Sequence, residues 1–300
     1  VAGALTLCRR SEAKLNVRYT KYLGDGDSKG FTHVVANNPY GDDVLLEKLE
    51  CVGHIQKRLG TRLRRLKRDK KGIKLKDGKG LGGQGRLTDV EIDHLQRFYG
   101  MAIRNNLEDV EKMKRAIWAT FYHKLSTDAK PQHELCPPGI ESWCKYRQAQ
   151  ANNKLDDFKH TNSLPESIME EIKPIYKDLS APALLKRCLH GKTQNPNESI
   201  NSVIWNRLPK TTFVGIQTLK LGVCDAVLSF NEGAMAKVNV LERLCIQPGR
   251  FMVEGLQQID SNRVKKADKE VQEENKKKRI KRRIGKKSKN EEDDYCPGGF

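Results

Sequence analysis

The sequence has no apolar run approaching the roughly 20 residues that a membrane-spanning helix needs. Its first residues, VAGALTL, are too short and lack the flanking pattern of a signal peptide. We therefore expect a soluble chain that is a piece of a longer one. Eight cysteines in 300 residues are also too sparse for a small disulfide-stapled secreted scaffold. Reduced intracellular thiols, used for metal binding or core packing, fit this composition better.

Acidic residues are too few to balance the basic ones, since 38 Asp and Glu stand against 56 Lys and Arg, a net charge of +18. The excess is concentrated in two places. Residues 57–86 have 13 Lys or Arg against two Asp, and residues 264–300 have 13 against eight acidic residues. Such concentration indicates a polyanionic partner, most often nucleic acid. The alternative is a solvated charged surface.

Strand signals are scarce and occur near the beginning of the chain. Residues 1–15 have near-helical apolar spacing, and residues 16–23 are rich in β-branched and aromatic side chains, which predicts a helix and then a strand. From Leu87 the pattern is helical, and Thr88 with Glu91 forms a capping box. We divide the chain into a strand-containing part (1–60), a basic Gly/Lys-rich linker (61–86), a helical block (87–190), further helices (191–263) and a disordered basic tail (264–300).

Three carboxylates have positions suited to a metal-dependent phosphoryl-transfer site. Asp25 and Asp27 follow the predicted strand directly, where rigid support is greatest, and Glu198 lies where a turn opens a helix. Each has a simpler interpretation: an ordinary Asp/Gly turn for the first two, and an acidic residue favoured by a helix N-terminus for Glu198.

Two cysteine–histidine pairs could supply ligands for tetrahedral zinc. Cys51 and His54 are three residues apart at a helix start, and Cys188 and His190 form a second pair far downstream. The alternative is a buried cysteine and a hydrogen-bonded core histidine in each pair.

In this order and spacing, these features resemble the Mutator-like (MULE-type) DDE transposases of animals. An Asp after a strand is followed by Cys-x-x-His, a long helical insertion and Asn-x-x-Glu-Ser-x-Asn entering a helix. The resemblance covers most of residues 1–255. The phrases that carry it are YTKYLGDGDSKGF, LECVGHIQKRLGTRLR, LSTDAKPQHELCP, SWCKY and NPNESINSVIW.

The resemblance implies an α/β ribonuclease-H-like core interrupted by a large all-α insertion. Asp25, or alternatively Asp27, matches the second Asp of the catalytic triad, and Glu198 matches the Glu. Cys51 and His54 match the family's Cys-x-x-His. No Asp precedes Asp25, so the first Asp and the strands that carry it are absent. We therefore expect an incomplete core, a poorly paired surviving strand and a predominantly helical chain.

The family's chemistry implies metal-dependent cleavage and transfer of DNA strands, with Mg²⁺ or Mn²⁺ held by the carboxylates. Two carboxylates without the third predict weak metal binding and a catalytically incomplete fragment. The alternative function is a non-catalytic DNA-binding or zinc-stabilised interaction protein derived from a transposase. The expected partner is DNA, both the transposon ends and the target. The sequence leaves open whether the chain forms a homo-oligomer.

Two sets of basic residues are assigned to interactions. The first set follows Cys-x-x-His and is expected to contact DNA phosphates; it comprises Lys57, Arg58, Arg62, Arg64, Arg65, Lys67 and Arg68. The second set predicts a nuclear localisation signal, with a nonspecific basic tail as the alternative; it comprises Lys276, Lys277, Lys278, Arg279, Lys281, Arg282 and Arg283.

Overall fold

The computed structural model describes residues 2–24, 28–272 and 274–275. These residues form two compact units that divide between Gln194 and Asn195. The described chain is predominantly helical, as the sequence predicted, and contains one two-stranded parallel sheet. The ribonuclease-H-like core stays a prediction.

The chain opens with a helix, a strand, a second helix and a second strand. They are α1 (Ala2–Leu15), β1 (Lys21–Gly24), α2 (Ser28–Ala36) and β2 (Glu47–Glu50). The strands are parallel, and their register pairs Lys21 with Glu47 through Gly24 with Glu50. The expectation of a poorly paired strand is met in part: each residue of β1 has a partner in β2, but no other strand among the described residues pairs with β1. The strand begins later than predicted, since residues 16–20 lie outside it.

A small apolar cluster joins the first two helices. Leu5 and Cys8 of α1 pack with Val34 of α2 and with Tyr40 from the loop that follows. The Tyr40 hydroxyl lies 2.9 Å from the Ser11 hydroxyl and accepts a hydrogen bond from the Tyr19 backbone N–H. This bond fixes the chain just before β1.

The larger core is helical. Its elements are α3 (Val52–Asp69), α4 (Asp89–Arg104), α5 (Val110–Leu125), α6 (Lys145–Ala151), α7 (Glu166–Leu179) and α8 (Pro182–Lys186). Leu59 and Leu63 of α3 are fully buried in one cluster with side chains of α4, α5, α7 and α8. Helix α3 therefore belongs to the helical block, and the boundary predicted at residue 61 falls inside it.

Two glycines allow α3 and α4 to approach closely. A Cβ atom on Gly60 would collide with the side chain of Gln96, and one on Gly100 would collide with that of Gln56. The relation is reciprocal, because each glycine accommodates a glutamine of the other helix. A larger residue at either position would displace the glutamine side chain that fills the space.

The segment after α3 is anchored along its length, unlike the linker that the sequence predicted. Leu75, Leu81 and Leu87 are buried in the helical core. The buried Arg86 donates to Asp77 at 2.6 Å, and the Ser167 hydroxyl of α7 donates to the same carboxylate at 2.8 Å. These contacts tie the glycine-rich loop to α7.

The predicted N-cap at Thr88 is confirmed at the start of α4, but the reciprocal half of the capping box is not formed, because the Thr88 N–H donates to the Arg86 carbonyl and the Glu91 carboxylate contacts Lys124. The Thr88 hydroxyl accepts a hydrogen bond from the Glu91 backbone N–H at 3.2 Å. The residues from 88 to 190 are all described and contain no strand.

The second unit contains α9 (Asn195–Arg207), α10 (Ile216–Glu232), α11 (Ala236–Arg243) and α12 (Arg250–Val271). Arg207 donates to Asp225 at 2.6 Å, joining α9 to α10. The Asp260 carboxylate accepts from the backbone N–H groups of Ala234 and Met235, joining α12 to the start of α11. Helix α12 continues to Val271, past residue 263 where the tail was predicted to begin. Among the described residues, no helix is both long and apolar enough to cross a membrane.

Candidate functional site

The carboxylates predicted to hold Mg²⁺ fall in different parts of the chain. Strand β1 ends at Gly24 and α2 begins at Ser28, but Asp25 and Asp27 lie outside the described residues. Glu198 is exposed in the first turn of α9, in the second unit. The catalytic assignments of all three stay predictions. The basic residues assigned to nuclear localisation, Lys276 to Arg283, also lie outside the described residues.

The Cys-x-x-His motif lies at the beginning of α3. Cys51 is the N-cap residue and is buried, and its Sγ atom accepts a hydrogen bond from the Gln194 backbone N–H at 3.4 Å. His54 is buried in the first helical turn. Their role as metal ligands stays a prediction.

The second cysteine–histidine pair has local bonds of its own. The Cys188 thiol donates to the Leu184 carbonyl at 3.4 Å, and burial raises its pKa to about 12. His190 Nε2 lies 3.1 Å from the Glu50 carbonyl oxygen, and its Nδ1 accepts from the Lys192 backbone N–H at 2.8 Å. Both ring nitrogens thus have backbone partners, which favours the alternative of a hydrogen-bonded structural histidine.

Most of the α3 cations that were assigned to DNA have carboxylate partners within the first unit. Each partner lies on a neighbouring element or one helical turn away. The pairs are Arg58–Glu50 (2.9 Å), Arg62–Asp178 (3.2 Å), Arg64–Asp93, Arg65–Asp69 (3.6 Å) and Lys67–Asp89 (2.8 Å). These pairs lower the net positive charge that α3 offers to an outside ligand. The DNA contacts of this helix stay a prediction.

A group of metal-ligand side chains lies elsewhere, at the end of α5. His123, His133, Cys136 and Cys144 have one donor atom each within 4.8 Å of all the others. Cys144 Sγ lies 3.5 Å from Nδ1 of both histidines. Cys136 Sγ lies 3.8 Å from His123 Nδ1 and 3.7 Å from His133 Nδ1. We refer to these four residues as the His/Cys cluster.

Three pieces of chain build the His/Cys cluster. His123 lies in the last turn of α5, His133 and Cys136 belong to the loop that follows, and Cys144 is the N-cap residue of α6. His133 and both cysteines are buried, and His123 is half-buried. Buried nitrogen and sulfur donors facing one centre are the environment in which proteins hold zinc and similar soft cations.

A hydrogen-bonded chain orients His133. Its Nε2 atom lies 2.9 Å from Nε2 of His160, and His160 Nδ1 lies 2.6 Å from Oδ1 of Asp128. Donation from His133 to His160, and from His160 to Asp128, satisfies all three groups and leaves His133 Nδ1 without a proton. The pKa of Asp128 is lowered by this bond to His160. Such outer partners fix the tautomer of a metal-binding histidine.

The two thiols of the cluster influence each other. A hydrogen bond from the Cys136 thiol lowers the pKa of Cys144. The same bond with Cys144 and burial raise the pKa of Cys136. The charge of a bound cation would favour loss of the proton from both thiols.

A cavity of about 860 Å³ opens beside the cluster, within the first unit. Aromatic side chains line it: Phe98 and Trp143 stack with ring centroids 6.3 Å apart, and Trp143 meets His123 edge to face. Basic side chains surround it, namely Arg97, Lys112, Arg115, Lys124, Lys145 and Lys159.

The first part of the chain matches a known protein family. Residues 2–144 match the family model described as Mutator-like transposase. This part of the chain is a Mutator-like transposase domain. No curated protein and no solved structure matches the chain.

The match to the Mutator-like transposase family ends at Cys144 and thus includes every member of the His/Cys cluster. Cys51 and His54 also lie within the matched residues, whereas Glu198 lies beyond them. Sequence reasoning alone did not identify the cluster residues as ligands, although two of the family phrases contain His133, Cys136 and Cys144. The spacing His133-x-x-Cys136 was the signal that could have found them.

Proposed function

We propose that this chain is part of a DNA transposase of the DDE type. Its Mutator-like transposase domain supports the family. Asp25, or Asp27, and Glu198 would be metal ligands, since ionised carboxylates offer the oxygen donors that Mg²⁺ and Mn²⁺ prefer. The metal ions, when bound, would neutralise charge at the scissile phosphate.

The 300 residues supply at most two carboxylates of the triad, because no Asp precedes Asp25. We therefore expect these residues alone to cleave DNA poorly. Plasmid nicking with Mg²⁺ or Mn²⁺ tests this expectation. Cleavage by the wild-type chain that Glu198→Ala abolishes would overturn it.

The observation that carries the DNA-binding part of the proposal is the set of cations around the cavity. Arg97 and Arg115 are exposed on α4 and α5, and Lys145 and Lys159 are exposed nearby. Among the described residues, no carboxylate lies within ion-pair distance of these four, in contrast to most cations of α3. Their charge is therefore available to DNA phosphates.

The aromatic lining favours an unpaired DNA segment over duplex at this position. Trp143 is 44% exposed although its ring stacks on Phe98. Aromatic faces next to basic groups bind single-stranded nucleic acid by stacking and phosphate contact together. A cavity near 860 Å³ lies within the size range of about 300–1,000 Å³ that holds small organic ligands, so it admits a nucleotide unit.

The test compares charge reversals on the two surfaces by fluorescence anisotropy with labelled single-stranded and duplex DNA. We expect the double variant Arg97→Glu/Arg115→Glu to weaken binding about tenfold or more. The matched control is Arg65→Glu/Arg62→Glu on α3, for which we expect a smaller loss. The opposite order would place the main contact on α3, and a wild-type chain that binds no DNA would reject the proposal.

A second candidate function is a non-catalytic DNA-binding or interaction protein derived from a transposase and stabilised by zinc. The His/Cys cluster favours the metal part of this alternative. A longer chain that includes the first Asp separates the two functions. If that chain binds DNA but does not cleave it, the non-catalytic function is correct. In either case we propose a nuclear protein, tested by whether deletion of residues 276–289 shifts a fluorescent fusion to the cytoplasm.

A further inference from the structure

We propose that His123, His133, Cys136 and Cys144 bind one zinc ion, and that this ion is the structural centre of the segment from residue 126 to residue 163. The inference is independent of the transposase chemistry, since it rests on ligand geometry and on the way this segment is packed. It assigns metal to residues other than the two cysteine–histidine pairs that the sequence suggested.

The distances between donor atoms agree with tetrahedral coordination. Zinc lies about 2.3 Å from sulfur and about 2.0–2.1 Å from nitrogen. A tetrahedral zinc ion therefore holds a sulfur ligand and a nitrogen ligand about 3.5–3.6 Å from each other. The four sulfur–nitrogen distances in the cluster are 3.5, 3.5, 3.7 and 3.8 Å. Little movement is needed to receive the ion.

The donor set selects the metal and its role. Two sulfurs and two imidazole nitrogens disfavour Mg²⁺ and Ca²⁺, which require oxygen ligands, and favour zinc. Four protein ligands fill a tetrahedral site and leave no position for water or substrate, which is the arrangement of structural rather than catalytic zinc. On binding, each thiol that still carries a proton releases it to solvent, and both sulfurs then bind as thiolates.

The surrounding segment has almost no apolar core. All residues from 126 to 163 are described, and the buried apolar side chains among them are Cys136 and Cys144. Regular structure is limited to the seven residues of α6. Such a segment cannot offset its loss of conformational entropy by apolar burial. Coordination by two cysteines and two histidines supplies the missing stabilisation.

Outer contacts support the ligands from the same segment. His160 and Asp128 orient His133, and the Arg147 guanidinium donates to the His133 carbonyl at 3.0 Å. The ring of Tyr146 stacks on that of His133 with centroids 4.3 Å apart. Three of the contacts within this segment therefore meet at the ligand His133, as expected when the metal organises the fold around it.

The experiment measures metal in the purified full chain by mass spectrometry and records the visible spectrum after replacement by Co²⁺. We expect one zinc per chain and the intense visible bands of tetrahedral cobalt with thiolate charge transfer. Cys144→Ser should lose the metal, whereas His133→Cys should retain it with stronger charge transfer, because it offers a third thiolate. Retention in that variant separates ligand exchange from misfolding.

The matched control is Cys188→Ser, which removes a buried cysteine of the helical core and should leave the metal content at one. Loss of metal in Cys188→Ser but not in Cys144→Ser would overturn the proposal in favour of the other pairs. A wild-type chain without zinc, whose cobalt form lacks tetrahedral bands, would overturn it altogether. A disulfide between Cys136 and Cys144 in reduced, metal-supplied protein would do the same.

Discussion

The Sγ atom of Cys144 lies 3.5 Å from the Nδ1 atom of His133, eleven residues earlier in the sequence. This contact closes a loop that contains two prolines, one glycine and no regular structure. Loop closure costs conformational entropy, and one sulfur–imidazole contact is too weak to offset it. The geometry is explained if both atoms bind the same ion.

Metal removal should therefore loosen one segment more than the rest. We expect a chelator to raise amide hydrogen exchange across residues 126–163, while the buried parts of α3 and α4 stay protected. Added zinc should raise the free energy of unfolding by about 2.7 kcal/mol when free zinc is about 100 times the dissociation constant. Equal exchange with and without chelator would contradict this prediction.

The salt dependence of DNA binding tests the cavity surface in another way. Removal of one phosphate contact should lower the slope of log affinity against log salt by about 0.9 for duplex and about 0.7 for single strands. Arg97→Ala/Arg115→Ala should thus lower the slope by up to twice these amounts. Arg65→Ala should change it less, because Asp69 already offsets its charge at 3.6 Å. Equal slopes for the wild type and both variants would exclude the cavity as a phosphate-binding surface.

A buried tyrosine hydroxyl joins α4 to the end of α7. Tyr99 is fully buried and donates to the Leu179 carbonyl at 2.8 Å. Tyr99→Phe leaves that carbonyl without its partner, so we expect a loss of about 1–3 kcal/mol in the free energy of unfolding. Tyr122→Phe is the control, because the half-buried Tyr122 hydroxyl has no hydrogen bond among the described residues. Chemical denaturation of both variants should give the larger loss for Tyr99→Phe.

The helices were predicted well where the signal is local. The end of α1, the Thr88 cap and the helix that begins near Glu198 depend on residues close in sequence, so composition and capping chemistry were sufficient. The extent of β1 was less certain, because strand formation depends on a partner, here β2, more than 20 residues away.

The charge of α3 could not be interpreted without the fold. The run of arginines indicates a DNA surface when the sequence is considered alone, but several of its carboxylate partners lie far along the chain. Arg62 pairs with Asp178, which is 116 residues away. Likewise, the His/Cys cluster is assembled from a helix end, a loop and a helix start. No spacing rule for a single loop describes that arrangement, although the spacing His133-x-x-Cys136 contains two of the four ligands.

Acid should weaken the attachment of the glycine-rich loop to α7. The pKa of Asp77 lies below its ordinary value of 3.8, first because Arg86 donates to the carboxylate and also because Ser167 does. A carboxyl with a lower pKa in the folded state adds stability above its unfolded pKa, and this is lost as the pH falls through the folded value. Unfolding free energies measured downward from pH 6 should therefore fall more steeply in wild type than in Asp77→Asn.

Asp156→Asn is the control for that measurement, because Asp156 is exposed and makes no hydrogen bond or ion pair among the described residues. It should leave the pH dependence of the wild type unchanged. An Asp77→Asn protein with the wild-type pH dependence would show that the contact with Arg86 does not contribute.

The close approach of α3 and α4 predicts opposite outcomes for two glycines that both lie within helices. A side chain at Gly60 would collide with Gln96, whereas the position of a Cβ atom on Gly3 of α1 has no neighbour within 4 Å. Leucine favours helix over glycine by nearly 1 kcal/mol, so Gly3→Leu should be neutral or stabilising. Gly60→Leu should instead cost about 1–3 kcal/mol, because overpacking between the helices exceeds the gain in propensity. Thermal unfolding of both variants measures the difference, and a stabilised Gly60→Leu protein would mean that the Gln96 side chain moves aside at little cost.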